Sequence, residues 1–434
     1  MHHPFTRDVG FLQVSSLVGK AVTVVAALVF ARILGPENYG FYGLVFALAG
    51  IINLFQDFGV GQGTVNLLAR ARAASDTNEA HRVLKFFTIV SIAGLATTGL
   101  AGVLLAPYLG ERFYQDRHLG QLASVIVAAT ALTFFLPLAT ICLQVARRIK
   151  TLTIVESISK ILDGLIPMIF VVAGLGVLGV VTGHLAAMAI MSGIALLVYR
   201  RLTQTDAFFP RIRNFFRSDL DWAKAKSYLK FSLEIAASKN LIKLSAFLPI
   251  LLVGYFLATN SSIGYYKIAL AYVSLPIMFL DSISRLLNVQ LPQTELAGQA
   301  RLFRRLFQVT AISVAIVAAI AAVMLILAKP AVNFFFPEYQ PSISLIFALI
   351  AYPVITSFGV GLGAMFRTLN RMKAALVIQL ITVGLLIPSA YFLIGTYHIR
   401  GLVVLTLVFT ALPNLLSILY FYYLYRRDVR GKNI

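Results

Sequence analysis

Ten ionisable residues stand inside long apolar stretches of this sequence: Lys20, Asp57, Glu156, Lys160, Asp163, Glu234, Lys239, Lys243, Asp281 and Arg285. A charge in hydrocarbon costs on the order of 3 kcal/mol, so such residues are functional candidates by default. Five are basic and five acidic. Mutual pairing therefore competes with ligand binding as the reason for each.

Glu156, Lys160 and Asp163 follow one another at i, i+4 and i+7, one stripe of a helix that keeps one net negative charge. That stripe suits a cation or proton coupling site, or a self-neutralising ladder facing other helices. His184, in the next apolar run, could join a proton relay. Lys20 and Lys243 lie near the middle of their runs, too deep to snorkel easily to either surface. Lys239 is one turn from Lys243, and neither Lys20 nor Lys243 has an acid at i±3 or i±4. Such lysines suit an anion, and Arg285 could hold a phosphate bidentately. Asp57 and Asp281 stand near helix ends, where they could latch a cavity mouth or satisfy the ends themselves.

No catalytic constellation accompanies them. The chain has no phosphate-binding glycine loop, no His–Glu metal spacing and no Ser/His/Asp set in a loop context. Its single cysteine, Cys142, permits no intramolecular disulfide. A cofactor or resident metal is not expected. Neither is a cleaved signal peptide, because the first apolar run is of spanning length and lacks a small-residue cleavage site.

The elements that position these charges follow from composition. Of 434 residues 59% are apolar and 12% charged, about half the usual charged share, and the mean hydropathy is +0.85. Too little polar surface exists to cover several soluble cores. Runs of about 20 apolar residues are membrane spans, and their uniform apolarity makes them helices rather than barrel strands. Twelve are expected, at about 9–34, 39–69, 83–107, 119–146, 152–174, 178–199, 229–257, 264–290, 306–328, 342–369, 373–395 and 399–424.

The net charge of +20 would suggest nucleic acid in a soluble chain. Its placement gives another reading. Connections on the side of the termini hold 26 of the 37 Lys and Arg, against six (Arg32, Arg112, Arg117, Lys267, Lys329 and Arg400) on the other. By the positive-inside rule both termini are cytoplasmic, and no nucleic-acid partner is implied. The longest connection, 201–228, carries Phe215, Phe216, Leu220 and Trp222 among basic residues, and reads as a cytoplasmic amphipathic segment at the interface.

The sequence also repeats itself. Leu34–Tyr42 is echoed at Leu257–Tyr266, Arg148-Ile-Lys150 at Arg371-Met-Lys373, and Tyr199-Arg-Arg201 at Tyr425-Arg-Arg427, at offsets of 223, 223 and 226. Six spans per half make the repeat parallel, with a shared site between the halves. The organisation expected is a lobe at 1–200, the connection at 201–228 and a second lobe at 229–434. Lys20 and Lys243, and likewise Asp57 and Asp281, are then repeat mates.

Phe30-Ala-Arg-Ile-Leu-Gly-Pro-Glu-Asn-Tyr-Gly-Phe-Tyr42, followed by Asp57-Phe-Gly59, resembles the first-loop signature of the polysaccharide transporter family. These are Wzx-type flippases of lipid-linked oligosaccharides, within the multidrug/oligosaccharidyl-lipid/polysaccharide (MOP) superfamily. The second-half loop departs from the pattern, since Ala258-Thr-Asn-Ser-Ser262 lacks the usual Gly-Pro.

The resemblance implies an all-α polytopic fold of two six-helix lobes in a bacterial or archaeal cytoplasmic membrane. It implies alternating access to a polyprenyl-diphosphate-linked glycan, and partners that include membrane lipid, a polysaccharide polymerase and a chain-length regulator. Lys20, Lys243, Lys239 and Arg285 would hold the pyrophosphate. Glu156, Lys160 and Asp163 would couple H⁺ or Na⁺ or pair among themselves, and Asp57 and Asp281 would act as gates. The alternative is a cation-coupled exporter of drugs or small molecules, which should favour acids and aromatics over midplane lysines. A polymerase or ligase would need a sizeable outer loop for catalytic groups, and every outer connection here is short.

Overall fold

The computed structural model describes residues 4–430 apart from 55–59, 216–218, 258, 279, 281–282, 285–286, 288–290, 292–298 and 370. Of residues 4–18, 20, 62, 231, 234–239, 242, 299–300 and 427–430 it describes the backbone only. Asp57, Asp281 and Arg285 lie outside the described residues, as do the side chains of Lys20, Glu234 and Lys239.

Helices account for nearly all the described chain, in order α1 (Pro4–Leu54), α2 (Val60–Ala73), α3 (Thr77–Tyr114), α4 (Arg117–Ala131), α5 (Phe135–Val145), α6 (Ile149–Phe170), α7 (Gly176–Thr205), α8 (Trp222–Phe256) and α9 (Ser261–Val273). The series continues with α10 (Gln299–Phe335), α11 (Ser342–Leu349), α12 (Ala351–Ser357), α13 (Leu362–Thr368) and α14 (Met372–Arg430). No strand occurs among the described residues.

Seven segments of the described chain are long and apolar enough to cross a membrane, and Lys243–Phe256 is a shorter apolar helix. Two of the seven, Ile149–Thr205 and Met372–Arg426, run 57 and 55 residues, more than twice the roughly 20 that one crossing needs. Each breaks near its middle. Gly174 and Gly176 take φ of +88° and +56° between α6 and α7, and His398 takes +53° inside α14. A like break at Gly35, φ +70°, divides α1 ahead of Pro36. All three fall where the sequence places loops. Large apolar side chains stay outside, among them Ile326 at 77% and Phe334 at 76% exposure, as suits helices solvated by lipid.

The chain forms two compact units, Met1–Leu251 and Leu252–Ile434. In the first, α3 packs on α4 and α1 on α6, and a core shared by α2, α3, α5, α6 and α7 includes Leu68, Leu84, Leu138, Cys142 and Tyr199. Most of α8 belongs to this unit, so compactness divides the chain about two dozen residues beyond the expected boundary. In the second unit α9 packs on α11 and α10 on α12, with Leu302, Phe303, Met365 and Phe421 in the core.

The sequence repeat is visible in backbone hydrogen bonds. Ahead of α6, Ala146 N–H donates to Cys142 O and Arg148 N–H to Leu143 O. Ahead of α14, Leu369 N–H donates to Met365 O and Arg371 N–H to Phe366 O. Each second-half partner is its first-half counterpart plus 223.

The 201–228 connection behaves differently from a free interfacial segment. Residues 201–205 continue α7, and the chain then folds back as a strap on the first unit. Asp206 bonds Arg72 at 2.8 Å, Tyr199 OH donates to Pro210 O at 2.7 Å, and Phe209 and Phe215 are buried. The Arg72 guanidinium also covers the Phe208 ring at 5.0 Å. Of the four apolar residues expected at the interface, Phe215 is 3% exposed and Trp222 is 80% exposed, while Phe216 lies outside the described residues. Phe215 found a protein partner for its apolar surface, which burial rewards by about 25 cal/mol per Å².

Candidate functional site

Three close approaches in the first unit gather α1, α6 and α7. A Cβ on Gly19 of α1 would stand 2.8 Å from Lys160 Cδ of α6, and one on Gly164 of α6 would stand 2.7 Å from Val22 Cγ1 of α1. A Cβ on Gly183 of α7 would collide with the backbone of Pro167 of α6. Glycine at these positions lets the helices close on one another, α7 onto the very backbone of α6 at Gly183, and Asp163 and His184 are the neighbours of Gly164 and Gly183.

Those two meet. His184 Nδ1 lies 2.5 Å from Asp163 Oδ1, the imidazole 14% and the carboxylate 42% exposed. Phe46 of α1 packs edge-on against the His184 ring at 5.5 Å, and Tyr42 packs against Phe46 at 4.7 Å. Phe30 closes the row at 6.0 Å from Tyr42. An acid and an imidazole in hydrogen-bond contact can hold one proton between them and pass it on. The aromatic row keeps one side of the pair dry while the carboxylate stays reachable.

The rest of the expected stripe is looser. Glu156 and Lys160 are exposed, and no ion pair joins Lys160 to Glu156 or to Asp163 among the described residues. The i+4 spacing brought Glu156 and Lys160 onto one side of α6, but Asp163 found its partner across the helix contact. No group of three or more His, Cys, Asp or Glu that could hold a metal occurs among the described residues. Lys243 is half-buried on α8.

Two features escaped the sequence reading. Lys267 lies inside α9 rather than in an outer connection. Glu79, near the start of α3, gathers three donors: Tyr228 OH, Lys224 Nζ at 3.3 Å and Arg82 Nη1 at 3.4 Å. Arg82 Nε also donates to Asp219 O at 3.2 Å, and Asp76 caps α3 by accepting from Glu79 N–H at 2.8 Å. This hub fixes the start of α8, the helix that carries Lys239 and Lys243. Further along, Asn240 Nδ2 donates to Leu54 O at 3.0 Å and Tyr114 OH to Leu251 O at 3.0 Å. Only local spacing is legible in a sequence, and Glu79 and Tyr228 are 149 residues apart.

Glu79→Ala should lower stability by about 1–3 kcal/mol, because Tyr228 loses its acceptor and two cations lose their counter-ion. Tyr228→Phe removes one donor only and should cost about 1 kcal/mol. Thermal unfolding of purified protein, followed by size exclusion, measures both. A Tyr228→Phe loss as large as that of Glu79→Ala would deny Glu79 the hub role.

The polysaccharide biosynthesis protein family matches residues 29–344. No curated protein sequence matches the chain. Among solved structures, an inward-facing multidrug resistance MATE family transporter of the MOP superfamily superposes with a TM-score of 0.76 at 17% identity, covering 93% of this chain and 97% of that one. The outward-facing conformation of such a transporter gives 0.67 at 18%, covering 95% and 94%. A MOP superfamily transporter from Pyrococcus furiosus Vc1 (DSM3638), described by the reverse polarity of its binding pocket, gives 0.67 at 19%, covering 95% and 94%. Identities this low establish the shared helical fold alone. With more than half of its length matched by the family, the chain belongs to the polysaccharide biosynthesis protein family.

Proposed function

We propose that the protein is a flippase that moves a polyprenyl-diphosphate-linked oligosaccharide from the cytoplasmic to the outer leaflet by alternating access. The observation that carries this reading is the union of a polysaccharide biosynthesis family with a transporter fold. In such a fold the cargo of a polysaccharide biosynthesis protein would be a glycan, and a biosynthetic glycan arrives on a lipid. Its glycan and diphosphate cannot enter the bilayer core, whereas its polyprenyl tail is at home there. Cationic side chains inside the spans answer the diphosphate.

In this reading Lys20, Lys243, Lys239 and Arg285 bind the diphosphate, and Asp57 and Asp281 latch the cavity mouth. Asp163 with His184 takes up and releases the coupling proton, and Glu156 and Lys160 tune it from the same helix. Protein catalysis is not invoked, because translocation breaks no bond. Both termini face the cytoplasm, as the basic connections require. The glycan polymerase and chain-length regulator act on what is delivered outside.

The test is reconstitution of the full chain into proteoliposomes that hold a fluorescent diphosphate-linked glycan lipid, with translocation read by protection from an added glycan-binding protein. Protein-dependent translocation supports the reading. Translocation at the rate of empty vesicles, with proton-driven export of a cationic dye instead, would replace it by the drug exporter.

A further inference from the structure

The first turns of α8 carry two unlike faces. The helix runs 35 residues, about 52 Å at 1.5 Å per residue, whereas a bilayer with its head groups is about 40–45 Å thick. Its apolar stretch, Lys243–Phe256, lies at the far end, so the excess length falls at Trp222. On one side Ala225, Tyr228 and Leu229 pack onto the core of the first unit, and Tyr228 and Lys224 are turned to Glu79. On the other side Trp222, Lys226 and Lys230 succeed one another at i, i+4 and i+8, all three exposed and Trp222 at 80%. Leu233, at 43% exposure, continues this side one turn deeper. The stripe thus passes from indole through two ammonium groups to alkyl as the helix enters hydrocarbon. Residues 222–230 contain three lysines and no acid.

We propose that this stripe docks anionic phospholipid head groups of the cytoplasmic leaflet, with Lys226 and Lys230 on phosphate oxygens and the Trp222 indole at the interface. Charge complementarity selects an anion, since juxtamembrane lysines are drawn to an anionic leaflet. The indole selects a lipid, because an apolar ring with one polar edge suits the boundary of a membrane and adds nothing to the capture of a soluble anion. Docking holds the exposed face of α8 to the leaflet while Glu79 holds the other face to the protein. The inference stands apart from the identity of the transported molecule.

Trp222 is the only tryptophan in the chain, so intrinsic fluorescence reports this stripe alone. The experiment places the full chain in nanodiscs with brominated acyl chains, made of zwitterionic lipid alone or mixed with anionic lipid. Trp222 emission should be bluer and more strongly quenched in the anionic discs. Each lysine should contribute about fivefold to the preference for anionic lipid, so K226Q and K230Q each weaken the difference and K226Q/K230Q abolishes it. Both lysines are exposed, and unchanged emission of the variants in zwitterionic discs verifies the fold. Equal quenching of the parental chain in both lipids, or the emission of fully hydrated indole in both, overturns the proposal. A matching response to inorganic diphosphate in zwitterionic discs also overturns it, and would assign the stripe to soluble anions.

Discussion

Asp163→Asn is expected to cut translocation by about tenfold or more, within the 5–150-fold range typical of coupling energies, while the folded protein accumulates normally. The carboxylate is 42% exposed and 2.5 Å from His184 Nδ1. A pair this accessible contributes at most about 1 kcal/mol to stability after solvent screening. Asparagine has the same shape and keeps a carbonyl oxygen for the imidazole, so the α6–α7 contact survives. It cannot carry the charge or the proton. In proteoliposomes the variant should lose its response to an imposed pH gradient, and His184→Gln should lose it too. A parental rate and a parental gradient response in Asp163→Asn would remove the coupling role. Collapse of the protein level would make the pair structural. The location supports the prediction: at the offset of 223 relating Arg148 to Arg371, Asp163 falls on Leu386, a residue 1% exposed. A charged acid in one half and a buried leucine in the other break the repeat where a single coupling site would.

What the sequence made legible is set by the range of its signals. Long apolar runs identify helices because no other element satisfies its backbone in lipid. The loops at Gly35, Gly174–Gly176 and His398 were legible because polar or glycine-containing residues interrupt those runs. The repeat was legible through short phrases, and its turn at Arg148 and Arg371 keeps the same hydrogen bonds.

Tertiary choices were not legible. The spacing of Glu156, Lys160 and Asp163 predicts contact along α6, but spacing cannot report that Gly183 admits α7 closely enough for His184 to take Asp163. Phe215 and Trp222 look alike in a sequence, as aromatic residues among basic ones. One is buried on the first unit and the other exposed, because the strap after α7 turns Phe215 inward beside Tyr199, their rings 5.7 Å apart. The Glu79 hub joins helices that a linear reading assigns to different halves.

Lys20→Ala combined with Lys243→Ala is expected to abolish translocation. Gly19 is buried on α1 against the alkyl stem of Lys160, and Lys20 is the next residue along the backbone of that helix. Lys243 is half-buried on α8, which Asn240 fastens to the carbonyl of Leu54 at the end of α1. A diphosphate bound by ammonium groups gains charge-assisted hydrogen bonds of about 1–3 kcal/mol each. Removing one lysine should therefore weaken binding roughly 5- to 150-fold, and removing both should leave too little to extract the head group from the leaflet. Lys→Arg at either position keeps the charge and should be partly tolerated, though a guanidinium needs more room and a planar partner. Lys→Glu should be worse than Lys→Ala, because it repels the diphosphate where the bilayer screens least. Glycan display in a flippase-deficient strain, with membrane level checked by blot, ranks the series. If the double alanine variant accumulates and exports at the parental rate, the lysines are internal counter-ions. The diphosphate would then fall to Lys239 and Arg285, whose alanine variants should fail in the same assay.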